Sequence, residues 1–162
     1  MRRMFLSFFG AGYLRPAPGT WGSLAALPAA WVLHQVGGPY LLFIAAGMFF
    51  GLGVIATRAE IQISDDHDPS WIVIDEVVGQ WIALIPVSAG AYTVGIDVHR
   101  LWPGILAAFL LFRLFDVWKP WLVGRADARS DALGVMLDDV LAGILAAHVG
   151  VAMAAFSHGL VG

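Results

Sequence analysis

Five apolar stretches, separated by polar or turn-forming residues, dominate the pattern along this chain. An apolar run predicts a membrane-spanning helix when it can cross the ~30 Å hydrocarbon core of a bilayer, which takes about 20 residues. The pattern therefore predicts an all-α, multi-pass bundle of about five spans, forming one membrane-embedded domain over residues 1–162. The expected spans are Trp21–Gln35, Tyr40–Thr57, Trp71–Ser88, Leu101–Trp118 and Ala132–Phe156.

Proline and glycine mark the boundaries of these stretches. The segment Arg15-Pro-Ala-Pro-Gly-Thr20 cannot be helical because each proline also disfavours helix in the residue before it. Thr20 is then expected to cap the first span. That span is short for a bilayer, and Pro28 is expected to kink it. Gly37-Gly-Pro39 predicts a turn before the second span. Polar loops are expected at Arg58–Ser70, Ala89–Arg100 and Trp121–Asp131.

Composition supports membrane insertion and removes several classes of function. The chain is 59% apolar and 13% charged, whereas soluble domains are about half apolar and about a quarter charged. A net charge of −3 gives no reason to expect a nucleic-acid partner. The absence of cysteine excludes disulfides, zinc–thiolate sites and a cysteine nucleophile. The apolar run Met4–Phe9 is too short for the core of a signal peptide, so no cleaved signal is expected.

The distribution of basic residues predicts the orientation, because cytoplasmic loops carry an excess of lysine and arginine. With five spans, Arg100 alone lies on one side of the membrane. The N-terminus is therefore expected in the cytoplasm and the C-terminus outside. The basic residues on the expected cytoplasmic side are Arg2, Arg3, Arg15, Arg58, Lys119, Arg125 and Arg129.

Two acidic pairs interrupt the apolar spans. Asp138 and Asp139 lie in the last span, and Asp75 and Glu76 lie in the third. A carboxylate in such a run costs several kcal/mol unless it is compensated. Neighbouring carboxylates also repel each other, so a cation is an obvious compensator. Each pair is followed about one turn later by a glycine, which allows close helix approach.

The predicted topology places both pairs at the cytoplasmic end of the bundle. We therefore expect them to form one metal site, and Mg²⁺ prefers such carboxylate oxygens, usually with substrate phosphate and water completing its shell. The competing interpretation is that the carboxylates only pair with Arg113 and Lys119. The expected metal ligands are Asp75, Glu76, Asp138 and Asp139.

Arg113, Asp116 and Lys119 are spaced so that they lie near one face of the fourth helix. They could form only a ladder of ion pairs along that helix. Alternatively, Asp116 is a further metal ligand or a base, and the two cations neutralise phosphate. Asp116 thus joins the two acidic pairs as a candidate catalytic residue.

A second candidate phosphate contact is the segment Ala17-Pro-Gly-Thr20, which leads into a helix N-terminus that suits an anion. The hydroxyls of Thr20 and Ser23 are the expected contacts, unless the segment is an ordinary capped turn. The acidic stretch Asp65–Asp68 is expected to be a solvated loop, and the histidines receive no role.

Taken in order, these motifs resemble those of the bacterial phosphatidylglycerophosphatase A family. They extend over nearly the whole chain, although Trp121-Leu-Val123 lacks the further proline usual after the Lys-Pro pair. The resemblance implies a Mg²⁺-dependent phosphatase of the bacterial inner membrane that converts phosphatidylglycerophosphate to phosphatidylglycerol, among membrane lipids. The matching motifs are Gly10-Ala-Gly12, Ala17-Pro-Gly-Thr20 with Gly22-Ser23, Asp68-Pro69, Ile74-Asp-Glu76 with Gly79, Phe112-Arg113, Phe115-Asp116, Lys119-Pro120, and Gly134-Val-Met-Leu-Asp-Asp139 with Ala142-Gly143.

Other chemistries fit the residues less well. The chain has no aspartyl-phosphate motif, and Ser157-His-Gly159 has the wrong order for a histidine-dependent lipid phosphatase. Metal-activated water is the expected nucleophile, with an attacking aspartate as the alternative. A CDP-alcohol-type phosphotransferase remains open, although its Asp-Gly-x-x-Ala-Arg signature is missing. A small cation transporter also remains open, but its acids would be expected near the bilayer midplane.

Overall fold

The computed structural model describes residues 1–64 and 69–161, with side chains to residue 157, so the acidic stretch Asp65–Asp68 lies outside the described residues. Within the described ranges the regular elements are helical, which confirms the all-α prediction. Short 3₁₀ turns occur at Ala11–Tyr13 and Val98–Leu101. The α-helices are α1 (Arg2–Leu6), α2 (Pro18–Ile61), α3 (Ile74–Val94), α4 (Trp102–Trp118), α5 (Leu122–Asp127) and α6 (Ala132–Val161).

Among the described residues, four helical segments are long and apolar enough to cross a membrane, and the first of them is bent back on itself. That helix, α2, contains 44 residues, which at ~1.5 Å per residue is about twice the thickness of a bilayer core. Its backbone leaves helical geometry at Gly37 and Gly38, where Gly38 has a φ of 60°. This left-handed conformation is one that glycine adopts without steric penalty. Pro28, by contrast, lies within regular helix. The helix therefore breaks at the turn predicted for Gly37-Gly-Pro39.

The two arms of α2, residues 18–36 and 39–61, lie antiparallel. Gly22 in the first arm packs against Val73, and Gly53 in the second arm packs against Ile74. Val73 and Ile74 are consecutive residues at the point where α3 begins. Gly38, between the arms, packs against a residue near the far end of α3, Tyr92. The described residues therefore form five apolar segments that alternate in direction along the chain, in agreement with the prediction of about five spans.

Helix α3 lies at the centre of the bundle. Trp81 is only 2% exposed, and its Nε1 donates a hydrogen bond of 3.0 Å to the carbonyl of Ala26 in the first arm of α2. The same ring packs against Phe49 of the second arm, with 4.9 Å between centroids. Helix α4 instead exposes Leu106, Leu110 and Leu114 along one face. A one-sided apolar stripe of this kind suits contact with lipid, as expected for a membrane helix.

Several predicted boundaries were wrong. Helix α2 continues to Ile61 and α3 to Val94, beyond the predicted span ends at Thr57 and Ser88. Helix α2 begins at Pro18, after Ala17 with a φ of 49°, so Thr20 lies inside the helix and does not cap it. Proline is favoured there because a helix leaves its first N–H groups unbonded in any case. Helix α3 begins at Ile74 instead of Trp71. The predicted loop over residues 121–131 contains the short helix α5.

The start of α6 is fixed by a local acidic cap. Asp131 accepts a hydrogen bond of 3.1 Å from the backbone N–H of Gly134 and pairs with Arg129 at 2.8 Å. The hydrogen bond from Arg129, together with the Gly134 N–H, lowers the pKa of Asp131 below its usual value. A charged acceptor suits a helix N-terminus. This cap sets where α6 begins and thereby the depth at which Asp138 and Asp139 lie.

Candidate active site

A cavity of about 340 Å³ opens at one end of the bundle, where α2, α3 and α6 begin and α4 ends. It collects charged residues that are far apart in the sequence, as the predicted topology requires. The end of α5 closes it on a further side. The charged side chains lining it are Asp75, Glu76, Asp116, Asp127, Asp138 and Asp139 together with Arg113, Lys119 and Arg129.

Three carboxylates in this cavity are arranged as a metal site would require. Asp75 and Glu76 of α3 and Asp139 of α6 each present an oxygen, and these oxygens lie within 4.8 Å of one another. Asp75 is 7% exposed and Asp139 is 4% exposed. The Oε2 atom of Glu76 is buried and has no hydrogen-bond partner among the described residues. A buried carboxylate oxygen without a hydrogen-bond partner, beside two further buried carboxylates, fits a hard divalent cation such as Mg²⁺.

The fourth predicted ligand, Asp138, is close to this cluster but has a different partner. Its Oδ2 lies 3.2 Å from the Nζ of Lys119, while its Oδ1 accepts a hydrogen bond from the N–H of Asp139. Asp138 is 7% exposed, so Lys119 provides the compensation that a buried carboxylate needs. The structure therefore brings three of the four expected ligands into one cluster and places the fourth on a lysine.

Gly19 closes the cavity from the start of α2. A methyl group at this position would collide with the Oε1 atom of Glu76 and would come within 3.2 Å of the Nη1 atom of Arg113. Only a residue without a side chain lets the first turn of α2 approach the carboxylate and the guanidinium so closely. The first turn also presents backbone N–H groups, which favour a nearby anion.

Lys119 is held in a strained backbone conformation at the end of α4. Its φ of 51° and ψ of 55° lie in the left-handed region, which costs a non-glycine residue roughly 1–2 kcal/mol. Pro120 prevents α4 from continuing. Gly124 of α5 packs so closely that a methyl group there would lie 2.8 Å from the carbonyl oxygen of Lys119. Strain of this kind clusters at functional sites.

The ammonium group of Lys119 bridges two carboxylates, pairing with Asp127 of α5 as well as with Asp138. Partial burial alone would lower the pKa of Lys119, but the hydrogen bonds and charges of Asp127 and Asp138 raise it above its usual value. Lys119 therefore carries a positive charge throughout the physiological pH range. Arg113 forms an ion pair with Asp116, one turn along α4, so part of the predicted ladder is present.

The other predicted phosphate contacts do not reach this cavity. Ser23 is fully buried and donates its hydroxyl to the carbonyl of Gly19 at 2.8 Å. Neither Thr20 nor Ser23 is among the described residues that line the cavity. Part of the predicted segment does line the cavity, through Ala17, Pro18 and Gly19. Asp127 was missed in the sequence because its role depends on a contact between helices, and the contact of Gly19 with Glu76 and Arg113 was missed for the same reason.

Comparison with known proteins identifies the family. The sequence profile of phosphatidylglycerophosphatase A matches residues 4–154. Phosphatidylglycerophosphatase A of Haemophilus influenzae is 37% identical over 142 residues, which are 87% of this chain and 81% of that protein. The Escherichia coli protein of the same name is 32% identical over 143 residues, which are 87% and 76% of the two chains.

A third relative carries a different name. A Bacteroides thetaiotaomicron protein, provisionally named a phosphatidylinositol-3-phosphatase, is 35% identical over 146 residues, or 84% of this chain and 82% of that protein. No solved structure was found to match this chain. The profile nonetheless covers nearly the whole chain, including all the charged residues that line the cavity. On this evidence the chain belongs to the phosphatidylglycerophosphatase A family.

Proposed function

We propose that this protein is a Mg²⁺-dependent lipid phosphatase that hydrolyses phosphatidylglycerophosphate to phosphatidylglycerol and phosphate, a step of phospholipid biosynthesis. The observation that carries the proposal is the cavity at one end of the bundle, in which the Asp75–Glu76–Asp139 cluster lies beside Arg113 and Lys119. Carboxylates for a cation and basic groups for an anion are the two requirements of metal-assisted phosphate hydrolysis. The names of two relatives support the choice of substrate.

The metal ligands in this proposal are Asp75, Glu76 and Asp139, and Asp138, which pairs with Lys119 beside them, is a fourth candidate ligand. The unpartnered Oε2 of Glu76 supports this assignment, because a buried carboxylate oxygen without a partner destabilises the fold. Bound Mg²⁺ would supply a Lewis acid that neutralises phosphoryl charge and lowers the pKa of water. Two carboxylates on α3 and one on α6 would hold such an ion.

Arg113 and Lys119 are the proposed phosphate contacts. Their cationic groups cannot ligate Mg²⁺ but stabilise the negative oxygens of a phosphoryl group. Lys119 stays charged, as described above. Asp116 holds the guanidinium of Arg113 at the cavity through their ion pair. Asp116 also lines the cavity, and we propose it as the base that accepts a proton.

The position of the cavity in the bundle supports a lipid substrate. The cavity lies at the end of the apolar segments, and Val117 both lines it and is 72% exposed on the outer face of α4. A lipid phosphate lies at headgroup depth, so its phosphate can enter the cavity while its acyl chains remain in the membrane. Following the excess of basic residues, we place this end on the cytoplasmic side of the inner membrane.

A phosphate-release assay tests this proposal. Purified protein in detergent would receive phosphatidylglycerophosphate, phosphatidic acid, phosphatidylinositol 3-phosphate or glycerol 3-phosphate, each with and without Mg²⁺. We expect release from phosphatidylglycerophosphate that requires Mg²⁺ and stops when the metal is chelated. If phosphate were released faster from phosphatidylinositol 3-phosphate, the activity of this protein would instead be the one for which the Bacteroides relative is named. Release that persists fully without divalent metal would contradict the proposed chemistry.

A further inference from the structure

The N-terminal strap, residues 1–14, is attached to the bundle through a buried carboxylate outside the cavity. Glu60, in the last turn of α2, is only 1% exposed. Its Oε2 atom lies 2.7 Å from the Nη2 of Arg2, and its Oε1 atom accepts a hydrogen bond of 2.8 Å from the Nε of Arg3. Both oxygens are therefore engaged by the strap. Losing both arginines would leave the buried carboxylate of Glu60 without a partner, which is destabilising, whereas the two guanidinium groups are themselves partly exposed.

The other side of the strap contacts the residues that lead into α3. The carbonyl of Leu6 accepts a hydrogen bond of 2.9 Å from the N–H of Val73, which is the residue preceding α3. The ring of Tyr13 stacks on that of Trp71 at 5.7 Å, and the guanidinium of Arg3 lies 5.7 Å from the Trp71 ring centroid. Arg3 thus contacts both Glu60 and the segment before α3. Asp75 and Glu76 follow Val73 by two and three residues.

From these contacts we infer that Glu60 is a positioning residue for the metal cluster. It anchors the strap, and the strap fixes Val73 and thereby the depth and rotation of the first turn of α3. Val73 is fully buried, and it also packs against Gly22 of α2, so a displacement of the strap changes how this turn is seated. Partners that orient metal ligands commonly change metal affinity by 10–100-fold when mutated. The inference rests on the proposed function only in assuming that the cluster binds a divalent metal.

The test compares Glu60→Gln with the unaltered protein by two readouts other than catalysis. Mn²⁺ affinity, followed by electron paramagnetic resonance, should fall about 10-fold, because the first turn of α3 is less firmly held. Hydrogen exchange at the Val73 amide should become faster, while exchange in the middle of α3 stays unchanged. Glu60→Asp keeps the charge and should recover part of the lost affinity.

Thr57→Val supplies a matched control one turn earlier in α2. Thr57 is fully buried, and its hydroxyl has no hydrogen-bond partner within residues 1–64 and 69–157, so replacing it with an isosteric apolar group should leave Mn²⁺ affinity unchanged. Gly12→Ala supplies an independent disturbance of the strap. A methyl group there would collide with the carbonyl oxygen of Trp71, so this variant should reproduce the effect of Glu60→Gln.

The outcomes separate this inference from the proposed function. If the Val73 amide exchanges its hydrogen faster in Glu60→Gln but the variant binds Mn²⁺ with unchanged affinity, the strap is only structural and the inference is overturned. Unchanged exchange at Val73 overturns it as well. If the unaltered protein binds Mn²⁺ but releases no phosphate from any lipid, the proposed function fails, while the positioning role is still decided by metal affinity.

Discussion

Gly143 of α6 lies directly against Gly79 of α3, so that a methyl group on Gly143 would collide with the carbonyl oxygen of Gly79. A methyl group on Gly79 would in turn lie 2.5 Å from the carbonyl oxygen of Asp139. These glycines follow Asp139 and Asp75 by one helical turn each. The close approach of the two helices is therefore what brings carboxylates from α3 and α6 within reach of one ion.

Gly143→Ala should separate α3 from α6 and weaken the proposed metal site. We expect a loss of about 1–3 kcal/mol in the free energy of unfolding, because the added methyl overpacks the contact. The Mg²⁺ concentration for half-maximal activity should also rise. Gly150→Ala is the matched control, since Gly150 lies in the same helix with no neighbour within 4 Å. That control should be neutral or slightly stabilising. Equal behaviour of the two variants would contradict the role of the contact.

Asp139→Asn should lower metal affinity without unfolding the protein. The amide is nearly isosteric with the carboxylate but lacks its charge, so one ligand of the proposed cluster is lost. Direct Mn²⁺ titration should show affinity at least about 10-fold weaker. Asp97→Asn, at an exposed carboxylate outside the cavity, provides the control. Unchanged affinity for Asp139→Asn at limiting metal would remove Asp139 from the ligand set.

Lys119→Ala should depress kcat/KM by about one to three orders of magnitude, the usual scale for losing one electrostatic stabiliser. Its dependence on Mg²⁺ should shift much less than that of Asp139→Asn, because Lys119 binds phosphate in the proposal. The measurement is a Mg²⁺ titration at fixed lipid substrate in detergent. If the activity of Lys119→Ala recovered fully at high Mg²⁺, Lys119 would instead support the metal ligands.

Asp127→Asn should reduce kcat/KM as Lys119→Ala does, but to a smaller extent. The carboxylate of Asp127 pairs with Lys119 and helps to hold it at the cavity, so its loss leaves Asp138 as the main partner. We expect KM for the lipid substrate to rise while kcat changes less, since the lysine itself remains. An unaltered KM would mean that the strained backbone of Lys119 positions the ammonium group without Asp127.

The orientation can be tested with alkaline phosphatase fusions, which are active only outside the cytoplasm. Joining the reporter after Arg100 should give activity, and joining it after Arg125 should give none. These positions lie at opposite ends of α4, and the excess of basic residues places Arg125 in the cytoplasm. The same result at both positions would refute the proposed placement of the cavity.

Much of the fold followed from local signals. Pro103 and Pro120 bound α4, and its predicted extent agrees with the structure to within one residue. The acidic pairs were conspicuous because carboxylates in apolar runs need a partner. The start of α3 was missed by three residues because Trp71–Val73 are apolar yet are held by the strap. No local pattern encodes that contact.

The arrangement inside the cavity was harder to predict. The helical spacing of Arg113, Asp116 and Lys119 placed them near one face, but Lys119 leaves the helix in a left-handed conformation and turns toward Asp127. That conformation depends on the approach of α5, which the sequence suggested only as a loop. A pairing of the carboxylates with Arg113 or Lys119 was one of the two interpretations left open, but that Asp138 is the carboxylate that pairs with Lys119 depends on how the helices pack.

The break of α2 at Gly37 and Gly38 also has a consequence for the order of synthesis. The two arms of α2 are synthesised before α3 and can enter the membrane as a hairpin. The surface of α2 against which α3 packs is therefore complete before α3 leaves the ribosome. The acidic cluster, by contrast, needs Asp139 of α6, which is made after the other described helices. A nascent chain released before Ala132 would therefore carry only the α3 half of the proposed metal site, which would be completed only when α6 packs against α3.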